Sequence, residues 1–254
     1  MQLHFQRRGH GPTVVLIHGL FGNMDNLGTL ARHLEPQFDV LSVDLINHGR
    51  SAHIAHTDYT DMAGDIIETL DALNIERAHF VGHSMGGKVS MEVAMQRPEL
   101  IDKLVVADIA PVQYQSHHVL VLKGLAELNE ALPVATRKQA DEILARHLTD
   151  LGVRQFLLKN LTKTEIGFQW QFNYQGILNS YEDILKPTSA AVPFNSPTLF
   201  IKGSESEYIL TEHREAIALR FPNAKAKVIQ GTGHWLHAEK PGIFNRMVSQ
   251  FLTS

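Results

Sequence analysis

The chain has no cysteine among its 254 residues. That excludes disulfides, thiol nucleophiles, thiolate zinc sites and redox motifs, and it is read here as a cytoplasmic protein. Long apolar runs are missing as well. The longest span four residues, as in Val14-Val15-Leu16-Ile17, where a membrane-spanning helix needs about 20. The first residues break into Arg7-Arg8-Gly9, which does not match a secretory leader. Dense blocks of basic residues are absent too. The 23 Lys and Arg against 27 Asp and Glu leave a net charge of −4, so there is no electrostatic footprint for nucleic acid or an anionic membrane. There is no internal repeat and no low-complexity tract. With 44% apolar and 20% charged residues, the balance is that of a globular chain. Its length suits one large α/β domain, or a core with an insertion.

What is present is an alternation. Residues 3–7, 13–17, 38–43, 78–82 and 103–108 are short β-branched runs that read as strands. Two of them are almost continuously apolar, as strands buried on both faces of a parallel sheet are. Helices are expected between them at 26–34, with Asp25 as its cap, at 60–73 and at 84–96. Strand–helix alternation of this kind predicts a doubly wound, mostly parallel α/β sheet. The rhythm changes after Pro111. Helices are expected at 113–132, 134–148 and 152–161, with an extended stretch through Phe168, Trp170, Phe172 and Tyr174. Strands at 197–201 and 226–229 and helices at 211–221 and 241–252 then restore the alternation. The expected organisation is a core of 1–111 and 196–254 carrying a helical cap at 112–195.

Gly82-His83-Ser84-Met85-Gly86 follows a predicted strand and precedes a predicted helix. This G-x-S-x-G pattern has a physical logic. A strand that turns abruptly into a helix strains the central residue, and glycines on either side remove side-chain clashes. The Ser84 hydroxyl is left exposed at a helix N-terminus, which favours negative charge. Serine is a weak nucleophile at neutral pH and needs a base. Among the 15 histidines, His234 in Gly231-Thr232-Gly233-His234-Trp235 is best placed, in the loop between the last strand and the last helix. His237 is its rival. His18 and His83 sit at strand ends and are expected to pack rather than react. His18-Gly19-Leu20-Phe21-Gly22 follows the second strand. There the Leu20 N–H, with that of Met85 after the nucleophile, is expected to form an oxyanion hole.

These motifs together resemble the α/β-hydrolase superfamily: HGLFG at 18–22, DLINHGRS at 44–51, GHSMGGK at 82–88, VVADIAPV at 105–112 and GTGHWLHAEKP at 231–241. Within it the chain is most similar to the small bacterial esterases of the YbfF type. The resemblance runs over nearly the whole chain and is weakest in 112–195. It implies a serine esterase with a helical cap over the active site and no cofactor. In many relatives the triad acid is an Asp in the loop matched by 203–208. Here the resemblance places Ser206 at that point, and a serine cannot serve as the acid. Asp108, at the end of the strand after the nucleophile, is the expected acid, with Glu205 and Glu207 as alternatives.

Phe21, Trp170, Tyr208 and Trp235 are expected to line an apolar substrate pocket. His117-His118 and Arg137-Lys138 are read as solvated faces. His53 with His56, and His234 with His237, lack a third ligand, so no metal is expected. The first reading is a monomeric hydrolase of small carboxylic esters or acyl thioesters, acting through Ser84, His234 and Asp108. Two others remain: a C–C bond hydrolase of ring-cleavage products on the same fold, and a ligand-binding protein that has lost turnover.

Overall fold

The computed structural model describes residues 1–116, 118–189 and 192–254. Seven strands form one sheet in the order β1 (Phe5–Gly9), β3 (Asp39–Val43), β2 (Thr13–Ile17), β4 (Ala78–His83), β5 (Ile101–Ala107), β8 (Thr198–Gly203) and β9 (Ala224–Ile229). Only β1 runs antiparallel to its neighbour. The pleat explains the apolar runs. In β2, Val15 and Ile17 face one core cluster while Val14 and Leu16 face the other. The first cluster takes in α2 (Tyr59–Ala72), α3 (Met85–Gln96) and α8 (Arg214–Arg220). The second takes in α1 (Gly28–Leu34), α9 (Leu236–Glu239) and α10 (Pro241–Thr253). The expected strands agree with these to within two residues. The first helix differs: a 3-10 turn at Met24–Leu27, capped by the Asn23 side chain rather than by Asp25, leads into α1. Among the described residues no helix is long and apolar enough to cross a membrane.

Between β5 and β8 the chain makes a long excursion: α4 (Val119–Ala131), α5 (Arg137–Leu144), α6 (Leu151–Leu158), a hairpin of β6 (Leu161–Thr164) and β7 (Gly167–Trp170), and α7 (Tyr174–Leu185). The expected helix at 113–132 starts only at Val119; ahead of it the buried Tyr114 donates its N–H to the Leu185 carbonyl. A Thr136–Gln139 capping box delays the next helix to Arg137. The extended aromatic stretch is real as far as Trp170, but Tyr174 opens a helix that periodicity did not reveal. Asn173 caps it, its side chain accepting the Gly176 N–H. The excursion has its own apolar cluster, including Leu125, Leu144, Leu157 and Phe172.

Buried polar groups fasten the excursion to the core. Lys88, on α3 and 1% exposed, donates from Nζ to the carbonyls of Val112 (2.9 Å), Lys186 (2.5 Å) and Leu185 (3.5 Å). It therefore grips both ends of the excursion at once. The rings of Tyr59 and Tyr114 lie 5.3 and 4.8 Å from it. Burial pushes this amine down to about 7. Asn173 Nδ2 donates to Asn47 Oδ1 and to the Ile54 carbonyl, and the Tyr59 hydroxyl donates to the Ile184 carbonyl. Two polar positions expected to be solvated instead make contacts within the excursion. Arg137 donates to the Leu158 and Leu161 carbonyls, and His118 Nδ1 lies 2.9 Å from the Tyr181 hydroxyl. Lys138 is exposed as expected, and His117 lies outside the described residues.

Four histidines are buried beneath the carboxyl ends of the strands: His18, His48, His83 and His237. Burial holds each imidazole below its usual value, His48 and His237 at about 3. Hydrogen bonding shows why a second proton has no place. His18 Nδ1 donates to the Gly19 carbonyl (2.8 Å) while its Nε2 accepts the Leu45 N–H (3.1 Å). His48 Nδ1 donates to the Ile46 carbonyl (2.9 Å) and its Nε2 accepts the Phe21 N–H (3.2 Å).

Two outcomes are expected. Below about pH 6.5 the unfolded chain takes up protons that these folded histidines refuse, so stability present above that pH is lost as pH falls. The loss should approach about 1.4 kcal/mol per pH unit per ring. Urea-unfolding free energies should therefore fall between about pH 6.5 and about pH 5, and a level profile there contradicts the account. The second concerns Trp170, whose ring stacks on Phe172 with centroids 4.6 Å apart. Trp170→Ala should cost about 2–4 kcal/mol in chemical denaturation and leave any acyl-chain preference where it was.

Candidate active site

β4 passes into α3 through Ser84, which adopts φ 53° and ψ −121°. The left-handed φ is forced by crowding. A Cβ on Gly82 would lie 2.2 Å from the Gly86 carbonyl oxygen, and one on Gly86 would lie 2.3 Å from that of Ile17. Only glycine lets the first turn of α3 approach β4 and β2 this closely. The Ser84 N–H donates to the Ala107 carbonyl on β5 (2.9 Å). Its side chain caps nothing in the helix, so the hydroxyl is available to another partner.

That partner is His234, whose Nε2 lies 2.9 Å from Ser84 Oγ. On its other side, Nδ1 lies 2.8 Å from Asp108 Oδ2. With the carboxylate accepting from Nδ1–H, Nε2 is left bare to accept from the serine. Asp108 is fully buried, with φ 54°, at the end of β5. Its other oxygen accepts the Gly203 N–H (3.1 Å), and the Ser206 hydroxyl donates to the same Oδ2 that His234 uses. Ser206, which the resemblance places at the usual acid position, is thus a ligand of the Asp108 carboxylate. Glu205 and Glu207 flank it and are exposed. His83 Nε2 donates to the His234 carbonyl (2.9 Å), and the Tyr208 ring stacks on the His234 imidazole at 3.8 Å and 19°. His237 packs on His83 at 4.3 Å, away from the serine.

The loop after β2 lies against Ser84. A Cβ on Gly19 would come within 3.3 Å of Ser84 Cβ. The loop is held from two sides: His48 accepts the Phe21 N–H, and Asn160 Nδ2 donates to the Phe21 carbonyl (2.5 Å). Phe21 itself sits at φ 57°. Among the described residues, the turns and loops offer no backbone acceptor to the N–H groups of Leu20 and Met85.

Two clefts meet at Ser84. One is lined by Met85, Lys88, Tyr114, Ile184 and Tyr208 among others, the second by Phe21, Phe156, His234 and Trp235 among others; Leu20 and His118 border both. Of the four expected pocket residues, Phe21, Trp235 and Tyr208 line these clefts. Trp170 lines neither, which corrects the expectation: it stacks on Phe172, which in turn meets Phe21 at 5.7 Å, one ring behind the wall. Ser206, Lys88, Asn160 and His118 were not singled out as site residues from sequence. Lys88 left a trace there, as a cation four residues after the serine, and Ser206 was noted only as a residue unable to serve as the acid.

Comparison with known proteins agrees with this geometry. Residues 12–133 match the family model described as the alpha/beta hydrolase fold. A Haemophilus influenzae protein described as an esterase/lipase is 41% identical over 242 residues, covering 95% of this chain and 83% of that one. The Escherichia coli esterase YbfF is 40% identical over 97% of this chain and 95% of its own. The solved structure of a marine microorganism esterase superposes with a TM-score of 0.93 at 36% identity, covering 98% of this chain and 99% of that one. The chain belongs to the alpha/beta hydrolase fold family.

Proposed function

We propose that this protein is a serine hydrolase of carboxylic esters, acting through an acyl-enzyme. The observation that carries the reading is the relay from Ser84 Oγ to His234 (2.9 Å) to Asp108 (2.8 Å), whose members follow the carboxyl ends of β4, β9 and β5. Ser84 Oγ attacks the carbonyl carbon while His234 Nε2 takes its proton. The oxyanion that forms is held by the N–H groups of Leu20 and Met85. Collapse breaks the bond to the leaving oxygen, which receives the proton from Nε2. Water then repeats the sequence on the acyl-serine, releasing the acid and restoring the hydroxyl. Asp108 keeps the useful tautomer of His234 and stabilises the imidazolium. Thioesters enter the same cycle with a thiol leaving. The segment 112–195 acts as a cap over Ser84, and the catalysis calls on no cofactor or metal. The ester-cleaving relatives support the class of reaction.

Ser84→Ala should lose on the order of 10⁶ in turnover of a p-nitrophenyl ester while keeping the native melting transition. A fluorophosphonate should label Ser84 alone, and labelling at another serine sinks the assignment. Asp108→Asn should lose about 10⁴, whereas Glu205→Gln and Glu207→Gln should each stay within about tenfold of the parent. A crippled Glu variant beside a healthy Asp108→Asn would move the acid to the 203–208 loop.

A further inference from the structure

Hydrogen bonds fix the two ends of the His234 imidazole and leave its faces to packing. Nδ1 meets Asp108 and Nε2 meets Ser84. Both contacts lie at the ring's edge, so they set an axis and resist rotation about it only weakly. The ring hangs from a loop that holds Gly231 and Gly233. His83 meets it tilted by 42° at 4.8 Å, and Trp235 by 69° at 5.7 Å. Among the described residues, Tyr208 is the ring that lies flat on it, 3.8 Å away at 19°.

Tyr208 is itself tied at three points. Its N–H donates to Ser206 Oγ (3.2 Å), its carbonyl accepts from the Tyr114 hydroxyl (2.5 Å), and its own hydroxyl lies 3.2 Å from His118 Nε2. His118 precedes α4 and is held in turn through Nδ1, 2.9 Å from the Tyr181 hydroxyl on α7. Tyr114, His118 and Tyr181 all belong to the excursion. The plane of the Tyr208 ring is therefore set from the excursion and not by the imidazole it covers, which is what a support needs in order to hold a neighbour still.

The reaction does not load this contact evenly. In the resting protein the Ser84 hydroxyl helps to hold the imidazole by donating to Nε2. Once Ser84 is acylated, its Oγ is an ester oxygen with no proton to offer the bare Nε2. His234 then keeps only the bond to Asp108, at the step where Nε2 must take a proton from water as the water oxygen attacks the acyl carbon. The bond from that carbon to Ser84 Oγ then breaks, Oγ takes the proton from Nε2, and the carboxylic acid leaves. We propose that Tyr208, steadied by His118, is a positioning residue for His234 whose stack matters most in the acyl-enzyme, where it keeps Nε2 aimed at the hydrolytic water. The proposal rests on the ester-hydrolase reading and names what holds the base in its second half-reaction.

Stopped-flow hydrolysis of p-nitrophenyl acetate separates the two halves. Nitrophenol released in the first turnover reports acylation, and the steady rate reports deacylation where that is slower. Tyr208→Leu should slow deacylation roughly ten- to a hundredfold and acylation clearly less, so that a stoichiometric burst appears and KM falls along with kcat. Tyr208→Phe keeps the ring and should recover most of the loss. His118→Ala keeps the stack but releases its outer end, and should slow deacylation more than acylation by a smaller factor. A steady rate for Tyr208→Leu within about twofold of the parent overturns the proposal. Equal losses in both halves overturn it too, because a merely structural role predicts them. If Tyr208→Leu does not fold, the same two rates in His118→Ala decide, and equal or absent losses there overturn it. Failure of the unmodified protein to hydrolyse any ester has a different meaning, because it removes the ester-hydrolase reading and this proposal with it.

Discussion

The contact between the first turn of α3 and the end of β2 sets the rest of the site. A side chain on Gly86 would overlap the carbonyls of Ile17 and His18, so the approach is available only to glycine. Two consequences follow from one contact. The strand-to-helix turn becomes so short that Ser84 takes a left-handed φ, at a cost of order 1–3 kcal/mol that the packed sheet on either side must offset. The loop leaving β2 is also brought against the serine, close enough that Gly19 has no room to spare beside it. Ser84 and the loop after β2 are thus placed relative to each other by backbone, before any side chain is chosen.

Asp108 shows how a buried carboxylate is satisfied from a neighbouring strand. Asp108 and Ser206 come from adjacent strands, and their side chains meet in a buried hydrogen bond. A carboxylate fully out of water needs donors, and Asp108 has three: Gly203 N–H, the Ser206 hydroxyl and His234 Nδ1–H. The 203–208 loop thus supplies part of the surroundings of the Asp108 carboxylate. Tyr208 continues the pattern, with its ring against His234 and its N–H donating to Ser206 Oγ.

How much of this could be read from the chain divides along physical lines. Strands of the core were legible because burial on both faces leaves an apolar run whatever the neighbours are. Ser84 and His234 were legible because a constrained turn and a glycine loop leave local signatures. Asp108 could be singled out because a carboxylate at the end of a buried strand is unusual. Trp170 was misjudged: an aromatic in the excursion is equally suited to lining a pocket or filling a core, and only the Phe172 stack decides. The start of α7 escaped because its cap, Asn173, also binds Asn47 and the Ile54 carbonyl more than a hundred residues away. Asn160, Lys88 and Ser206 escaped for the same reason, since each acts through a partner distant in sequence.

Lys88 attaches the excursion through main-chain oxygens at both of its ends. A buried amine without a carboxylate partner is costly, and its titration is displaced accordingly. Here it is used on backbone carbonyls at both ends of the excursion. Asn173 and the Tyr59 hydroxyl likewise reach carbonyls across the same boundary. Attachment through main-chain oxygen is indifferent to which side chain the partner residue carries. Replacing Ile184 alters the floor of a cleft, but not the carbonyl that Tyr59 holds. The excursion is therefore held to the core through backbone oxygens, whatever side chains it carries at those points.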